Sequence, residues 1–91
     1  MAVTFSLPTV LAKLADGQST IQASGTTLGD VVAQIADRFP RLAPRLRDDK
    51  GGPYPFVTYY LNDEDIRFVG GFAAPVRDGD ELTIVPAIAG G

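Results

Sequence analysis

Val3, Phe5 and Leu7 alternate with Thr4 and Ser6, the period-two pattern of a strand with one buried face. Pro8 ends the run, since proline has no N–H for a ladder. Residues 9–15 mix apolar and polar positions without a clear period and receive no assignment. Asp16-Gly17 signals a turn. Thr20-Ile21-Gln22-Ala23 reads as a second strand, paired with the first as a hairpin with a long loop. The period then changes. Leu28, Val31, Val32, Ile35 and Phe39 fall on one face of a helix. Thr27 is placed to cap it, and Asp30 completes a capping box with Asp in place of Glu while complementing the positive end of the helix dipole. Pro40 disfavours helical geometry at Phe39, so the helix is predicted to end there. Leu42 and Leu46, with Pro44 between them, predict one further short turn.

Asp48 to Pro55, rich in glycine, proline and charge, reads as a loop. Phe56-Val57-Thr58-Tyr59-Tyr60-Leu61 has the β-branched and aromatic content of a strand. Asn62-Asp63-Glu64-Asp65 turns the chain and Ile66-Arg67-Phe68 predicts a short edge strand. Gly70-Gly71 and Asp78-Gly79-Asp80 are further turns, and Glu81-Leu82-Thr83-Ile84-Val85 is the last strand, ended by Pro86. This order predicts an α+β domain over residues 1–86, with a mixed four- or five-stranded sheet packed on one helix, and a flexible tail over 87–91. If Leu82 and Ile84 face the helix, alternation turns Thr83 and Val85 outward. Val85 then joins Tyr60 or Phe56 in an exposed patch beside the tail, which suits a partner protein. The same aromatics could instead close the edge of the core.

With 91 residues the chain can bury one modest core, and a large substrate pocket besides is hard to enclose. That favours a carrier or partner protein over a self-sufficient enzyme. The absence of Cys and His excludes disulfides, thiolate nucleophiles, Cys/His zinc sites and histidine bases. Asp63, Glu64 and Asp65 lack the spacing of a calcium loop and read as a solvated turn, as do Asp78 and Asp80, so no metal site is expected. The start carries no signal-peptide pattern and no run reaches the ~20 apolar residues of a membrane span. The expectation is a soluble cytoplasmic protein, monomeric when free. The net charge of −3 is uneven: Arg38, Arg41, Arg45, Arg47 and Lys50 outweigh the acids of residues 38–50, and the last third is acidic. On this reading the end carrying the tail is acidic, which suits a basic protein partner and opposes nucleic acid. The basic cluster has no nucleic-acid motif and reads as a solvated helix end.

What chemistry remains belongs to the tail, Pro86-Ala87-Ile88-Ala89-Gly90-Gly91. Its terminal carboxylate, with a pKa of about 3.5, is an anion at neutral pH and a poor electrophile. Activated, for example as a mixed anhydride with a nucleotide, its carbonyl can pass to sulfur or to an amine. Gly90 and Gly91 lack Cβ atoms and can lie extended in a channel where a side chain would clash. A Gly-Gly end also suits an inert terminus. Its place directly after a strand, in a chain without catalytic side chains, favours the reactive reading.

The strand order, the Asp78-Gly79-Asp80-Glu81-Leu82 turn into a strand, and the ending Ile84-Val85-Pro86-Ala87-Ile88-Ala89-Gly90-Gly91 resemble the ubiquitin-like β-grasp sulfur carriers. That family includes the small subunit of molybdopterin synthase and the thiazole-synthesis carrier. Within it, Leu61-Asn62-Asp63-Glu64-Asp65-Ile66-Arg67-Phe68, the following Gly70-Gly71, the longer loop before Phe56 and the Pro-Ala-Ile-Ala-Gly-Gly end look most like the actinobacterial carriers of cysteine synthesis. The resemblance implies that a ubiquitin-activating-type adenylyltransferase and sulfurtransferase adenylates Gly91 with ATP, and that sulfur displaces AMP to leave a thiocarboxylate. A pyridoxal-phosphate-dependent cysteine synthase would offer an aminoacrylate made from O-phosphoserine. The sulfur attacks it, an acyl shift leaves a peptide-bonded cysteine, and a metallopeptidase releases it. Gly90 would thread the partner's channel, lined by Ala87, Ile88 and Ala89, and Val85, Thr83, Tyr60 and Phe56 would form the partner-binding surface. ATP and pyridoxal phosphate would belong to the partners, with no cofactor on this chain. The alternatives are sulfur donation to molybdopterin, thiazole or a sulfur-containing secondary metabolite, a ubiquitin-like modifier joined to lysines, and a β-grasp interaction module with inert glycines.

Overall fold

The computed structural model describes residues 2–86; Ala87, Ile88, Ala89, Gly90 and Gly91 lie outside the described residues. The elements are β1 (Ala2–Ser6), α1 (Thr9–Ala12), β2 (Thr20–Ser24), α2 (Leu28–Arg38), β3 (Val57–Leu61), β4 (Glu64–Asp65) and β5 (Glu81–Pro86). The five strands form one mixed sheet in the order β2-β1-β5-β3-β4. β1 pairs antiparallel with β2 and parallel with β5, and β3 is antiparallel to both its neighbours.

Alternation decides which face of this sheet is covered. Val3, Phe5, Ile21, Tyr59, Leu82 and Ile84 point to one side and are buried in a single cluster with Leu28, Val31, Val32 and Ile35 of α2. The helix starts where its capping box is complete. The Thr27 hydroxyl accepts from the Asp30 N–H at 3.2 Å, and the Asp30 carboxylate accepts from the Thr27 N–H at 3.2 Å. The same carboxylate accepts from the Thr26 hydroxyl at 3.0 Å, and these bonds, that of the Thr26 hydroxyl above all, hold it below the usual aspartate range. Beyond α2 the chain makes a 3₁₀ turn at Ala43–Arg45 that buries Leu42 and Leu46. Tyr59 joins that turn to the sheet. Its buried hydroxyl donates to the Leu46 carbonyl at 2.7 Å, and its ring meets Phe5 and Phe72 edge to face.

Three expectations need correcting. Residues 9–15 form α1 and a 3₁₀ turn, Lys13–Ala15, so the fold holds a second, short helix. Ile66–Phe68 is a 3₁₀ turn, and the edge strand is the two-residue β4 before it. The cause is Asp65, whose carboxylate accepts from the Arg67 N–H at 2.9 Å and pairs with its guanidinium at 2.6 Å, closing a local turn where a ladder would need an open backbone. Phe68 is consequently 80% exposed. Third, β3 begins at Val57, because the Val57 N–H bonds back to the Tyr54 carbonyl at 3.2 Å and leaves Phe56 inside a turn.

Candidate functional site

The described part of the site is the end of β5 and the sheet face around it. β5 sits between β1 and β3, so the last described residues of the chain belong to the central strand of the sheet. Thr83 lies opposite Tyr60, and Val85 opposite Thr58, on the face turned away from α2. Val85 is 46% exposed and Phe56 60%, with Phe56 held edge to face against Tyr54 at 5.5 Å. On the β1 side Thr83 neighbours Ser6 and Glu81 neighbours Thr4, so hydroxyl groups carry that face away from Val85. Thr58 and Ser6 are members of this surface that the sequence reading did not pick out. Register across strands far apart in sequence places them there, and no local pattern signals it.

The described part of β5 reaches Pro86. Hydrogen-bonding direction alternates along β5, and the bond from the Asn62 N–H to the Glu81 carbonyl at 2.9 Å sets the phase toward β3. The phase leaves Val57 and Pro86 as a pair that faces across without exchanging bonds, so proline loses nothing there. On the other side the Thr4 N–H donates to the Asp80 carbonyl at 3.0 Å, and stepping along the parallel ladder puts residue 8 opposite the Ile84 carbonyl. Residue 8 is Pro8 and offers no donor. Pro8 thus follows β1 at the position where the parallel ladder would need its next donor.

The charge map differs from the linear reading. β5 advances about 17 Å from Glu81 to Pro86 at ~3.3 Å per residue, and the carboxylates of the last third gather at its start. Asp80 accepts from the Asn62 side-chain amide at 2.9 Å and the Arg77 N–H at 2.8 Å, which hold its carboxyl below the usual range, Asn62 contributing most. Asp78 accepts from the Ala2 N–H at 3.0 Å. Asp63 and Glu64 follow Leu61, which pairs with Leu82 near that same start, while Asp65, lowered chiefly by its hydrogen bond from Arg67, lies beside Tyr60 toward the middle of the strand. At the Pro86 end stand Val57, the Tyr54 turn and, through the Tyr54 N–H bond to the Leu46 carbonyl at 3.1 Å and the bridge between Arg47 and Pro53, the basic segment. The Pro86 end of β5 therefore adjoins a segment in which Arg45, Arg47 and Lys50 outnumber Asp48 and Asp49, whereas Asp78, Asp80 and Glu81, expected beside the tail, stand at the other end of the strand.

Among the described residues no three acidic side chains converge as a metal site, and no helix is long and apolar enough to cross a membrane. The last described strand lies in the middle of the sheet with a half-apolar outer face at Val85.

Known proteins share this arrangement. The model of the ThiS family matches residues 6–91. The sulfur carrier protein CysO of Mycobacterium tuberculosis is 45% identical over 93 residues, all of both chains, and its crystal structure superposes with a TM-score of 0.85 over 94% of this chain and 99% of that one. In the Amycolatopsis orientalis BexX/CysO complex, a chain 40% identical superposes with a TM-score of 0.89 over 98% of this chain and 99% of its own. Small archaeal modifier protein 3 of Haloferax volcanii is 34% identical over 65 residues, 71% of this chain and 70% of that protein. With the five-stranded mixed sheet and the full-length match, the chain belongs to the ThiS family of ubiquitin-like β-grasp sulfur carriers.

Proposed function

We propose that this chain carries sulfur as a thiocarboxylate on Gly91 and delivers it for cysteine synthesis from O-phosphoserine. The single observation that carries the choice of pathway is the 45% identity to CysO along the whole chain. In this reading a ubiquitin-activating-type enzyme converts the Gly91 carboxylate and ATP to an acyl-adenylate and pyrophosphate, and a sulfur nucleophile displaces AMP. A pyridoxal-phosphate-dependent synthase then joins the sulfur to the O-phosphoserine skeleton with loss of phosphate, an S-to-N acyl shift leaves the cysteine in peptide linkage to Gly91, and a metallopeptidase hydrolyses that bond. Ala87, Ile88, Ala89 and Gly90 thread the partner's channel, while Val85, Thr83, Tyr60 and Phe56 rest on its mouth. The BexX/CysO complex of Amycolatopsis orientalis supports docking of such a carrier onto another protein. A second reading shares the activation step and has the thiocarboxylate feed a different acceptor, such as a secondary metabolite. Likeness to a small archaeal modifier protein favours a third, attachment to lysines.

Incubation with the activating enzyme of the same genome, ATP and a sulfide source is expected to raise the intact mass by the exchange of one oxygen for sulfur. Adding the synthase and O-phosphoserine is expected to add one cysteine residue. Deletion of Gly91 is expected to leave the fold intact and abolish both changes. An unchanged mass of the full chain sinks the carrier reading. Loss of sulfur to another acceptor with no cysteine adduct selects the second reading, and an isopeptide on other proteins selects the third.

A further inference from the structure

We infer that the Pro86 end of the molecule docks on an acidic protein surface, with Arg45, Arg47 and Lys50 as the groups that meet it. This rests on the reading of the chain as a carrier that presents its tail to partners.

The two ends of the sheet use their charges differently. At the far end the carboxylates hold the fold together: Asp30 caps α2, Asp78 anchors the start of β1 and Asp80 clamps two turns. The pair between Arg67 and Asp65 is the sole salt bridge among the described residues. At the Pro86 end the carboxylate with a structural task is Asp48, which accepts from the Lys50 and Gly52 N–H groups at 2.9 Å each. The side chains of Arg45, Arg47 and Lys50 make no hydrogen bond or ion pair within the described residues. Arg45 and Lys50 are exposed, and Arg47 is half-buried.

These cations are placed where a partner must come. Arg47 bridges to Pro53, and the Tyr54 turn that follows leads directly into Val57, the residue opposite Pro86. Within the segment that leads to Val57 lies an open groove of about 700 Å³, lined by Pro44, Arg47, Asp48, Asp49, Lys50 and Tyr54 among others. Any protein that takes up the chain beyond Pro86 covers this neighbourhood. Free cations around an entry point raise the encounter rate with a negative surface and disfavour a positive one. Asp48 and Asp49 are interleaved with the cations, and the whole chain is at −3, which suits discrete protein carboxylates better than a polyphosphate.

The test is association of the full chain with its activating enzyme, followed by biolayer interferometry at roughly 50 and 500 mM salt. The double variant Arg45→Glu/Lys50→Glu is expected to lower the association rate at low salt about tenfold and to lose most of the salt dependence. The far-end variant Asp63→Lys/Glu64→Lys is expected to stay within about twofold of the parent. Urea midpoints of both variants confirm that they fold. Unchanged association and salt dependence in Arg45→Glu/Lys50→Glu, or no association of the parent chain, overturns the inference. Tight retention by a DNA duplex at the lower salt also overturns it, since the cations would then serve nucleic acid. Association without sulfur uptake in the mass experiment leaves the inference standing and removes the carrier reading.

Discussion

Val57 and Pro86 face each other across the last rung of the sheet, and Val57 gives its N–H to the Tyr54 carbonyl. Pro86 has no N–H to return. One strand away, Pro8 sits where the parallel ladder would put a donor for the Ile84 carbonyl. Neither proline thus gives a hydrogen bond at this end of β5. Pro8→Ala supplies the missing N–H and is expected to lengthen the β1–β5 ladder by one bond. The amide at position 8 should then be protected in hydrogen exchange. Net stability should move by less than about 1 kcal/mol, since a new bond and a looser unfolded chain oppose each other. Rapid exchange at that amide contradicts the ladder argument.

Tyr59 holds the 3₁₀ turn at Ala43–Arg45 against the sheet through one buried bond to Leu46. Tyr59→Phe keeps the ring contacts and leaves the Leu46 carbonyl with its bond from the Tyr54 N–H alone, at an expected cost of about 1 kcal/mol in urea unfolding. The pH profile gives a second signature. Burial pushes the Tyr59 hydroxyl far above its ordinary value, with Arg47 offsetting a small part. The native state keeps a proton that the unfolded chain gives up near pH 10, so this contribution is full below that pH and is lost as pH rises beyond it. Tyr59→Phe should flatten the alkaline limb of the stability curve. An alkaline limb as steep as that of the parent would contradict the assignment to this hydroxyl.

Gly25 precedes the cap of α2 with no room for a side chain. A Cβ there would stand 2.6 Å from the Asp30 Cβ and 3.1 Å from the Val31 nitrogen. Gly25→Ala is expected to disturb the capping box and cost about 1–3 kcal/mol, whereas Gly52→Ala, whose Cβ would sit at ordinary contact distance from Asp48, should cost less. Thermal unfolding of the two variants decides it, and equal midpoints would contradict the crowding at Gly25.

The difference between Gly25 and α2 itself shows what a linear reading can reach. The stripe Leu28, Val31, Val32, Ile35 and the box Thr27–Asp30 involve residues a few positions apart, so they are readable as written. The inward and outward phases of β5 are readable too, because Leu82 and Ile84 alternate with Thr83 and Val85. The 3₁₀ turn at Ile66 was hidden because Ile66-Arg67-Phe68 alternates like a strand, and only the Asp65 carboxylate closes it as a turn. The charge at the tail was misread for a deeper reason. Asp78, Asp80 and Glu81 are near Pro86 in sequence, but a strand carries them to the opposite end, while Arg47 arrives through the β3–β5 pairing.

Asn62 and Asp80 tie the β3–β4 turn to the entry of β5. Asn62 is in the left-handed region at φ 51° and donates to Asp80 at 2.9 Å, while its side-chain oxygen accepts from the Glu81 N–H at 2.9 Å. The folded state holds the Asp80 carboxyl below its unfolded value of 3.8. The unfolded chain therefore binds this proton first, so the contribution is present above about pH 4 and is lost as pH falls through the folded value. Asp80→Asn should lower the urea midpoint at pH 7 and reduce the drop between pH 5 and pH 3. Because the carboxyl is exposed, the effect should be a fraction of 1 kcal/mol, on the order of a surface pair. An acid drop equal to that of the parent would place the titration elsewhere.

Val85 gives the most direct measure of what the outer sheet face does. It is about half exposed, lies opposite Thr58 and belongs to the last rungs before the tail. Val85→Asp removes an apolar contact that water already reaches, so its stability cost should stay near the ~1 kcal/mol span of strand preferences. If partners rest on this face, the same change buries an unpaired carboxylate in the contact and should slow sulfur loading about tenfold or more. Phe68→Asp is the matched control: its side chain is more exposed, and it sits on the turn after β4, away from β5. Loading should respond to Val85→Asp and stay within about twofold in Phe68→Asp, measured as the initial rate of intact-mass change at limiting carrier. Equal rates in the two variants would mean that the tail alone is recognised and that the face beside it is solvent in the complex.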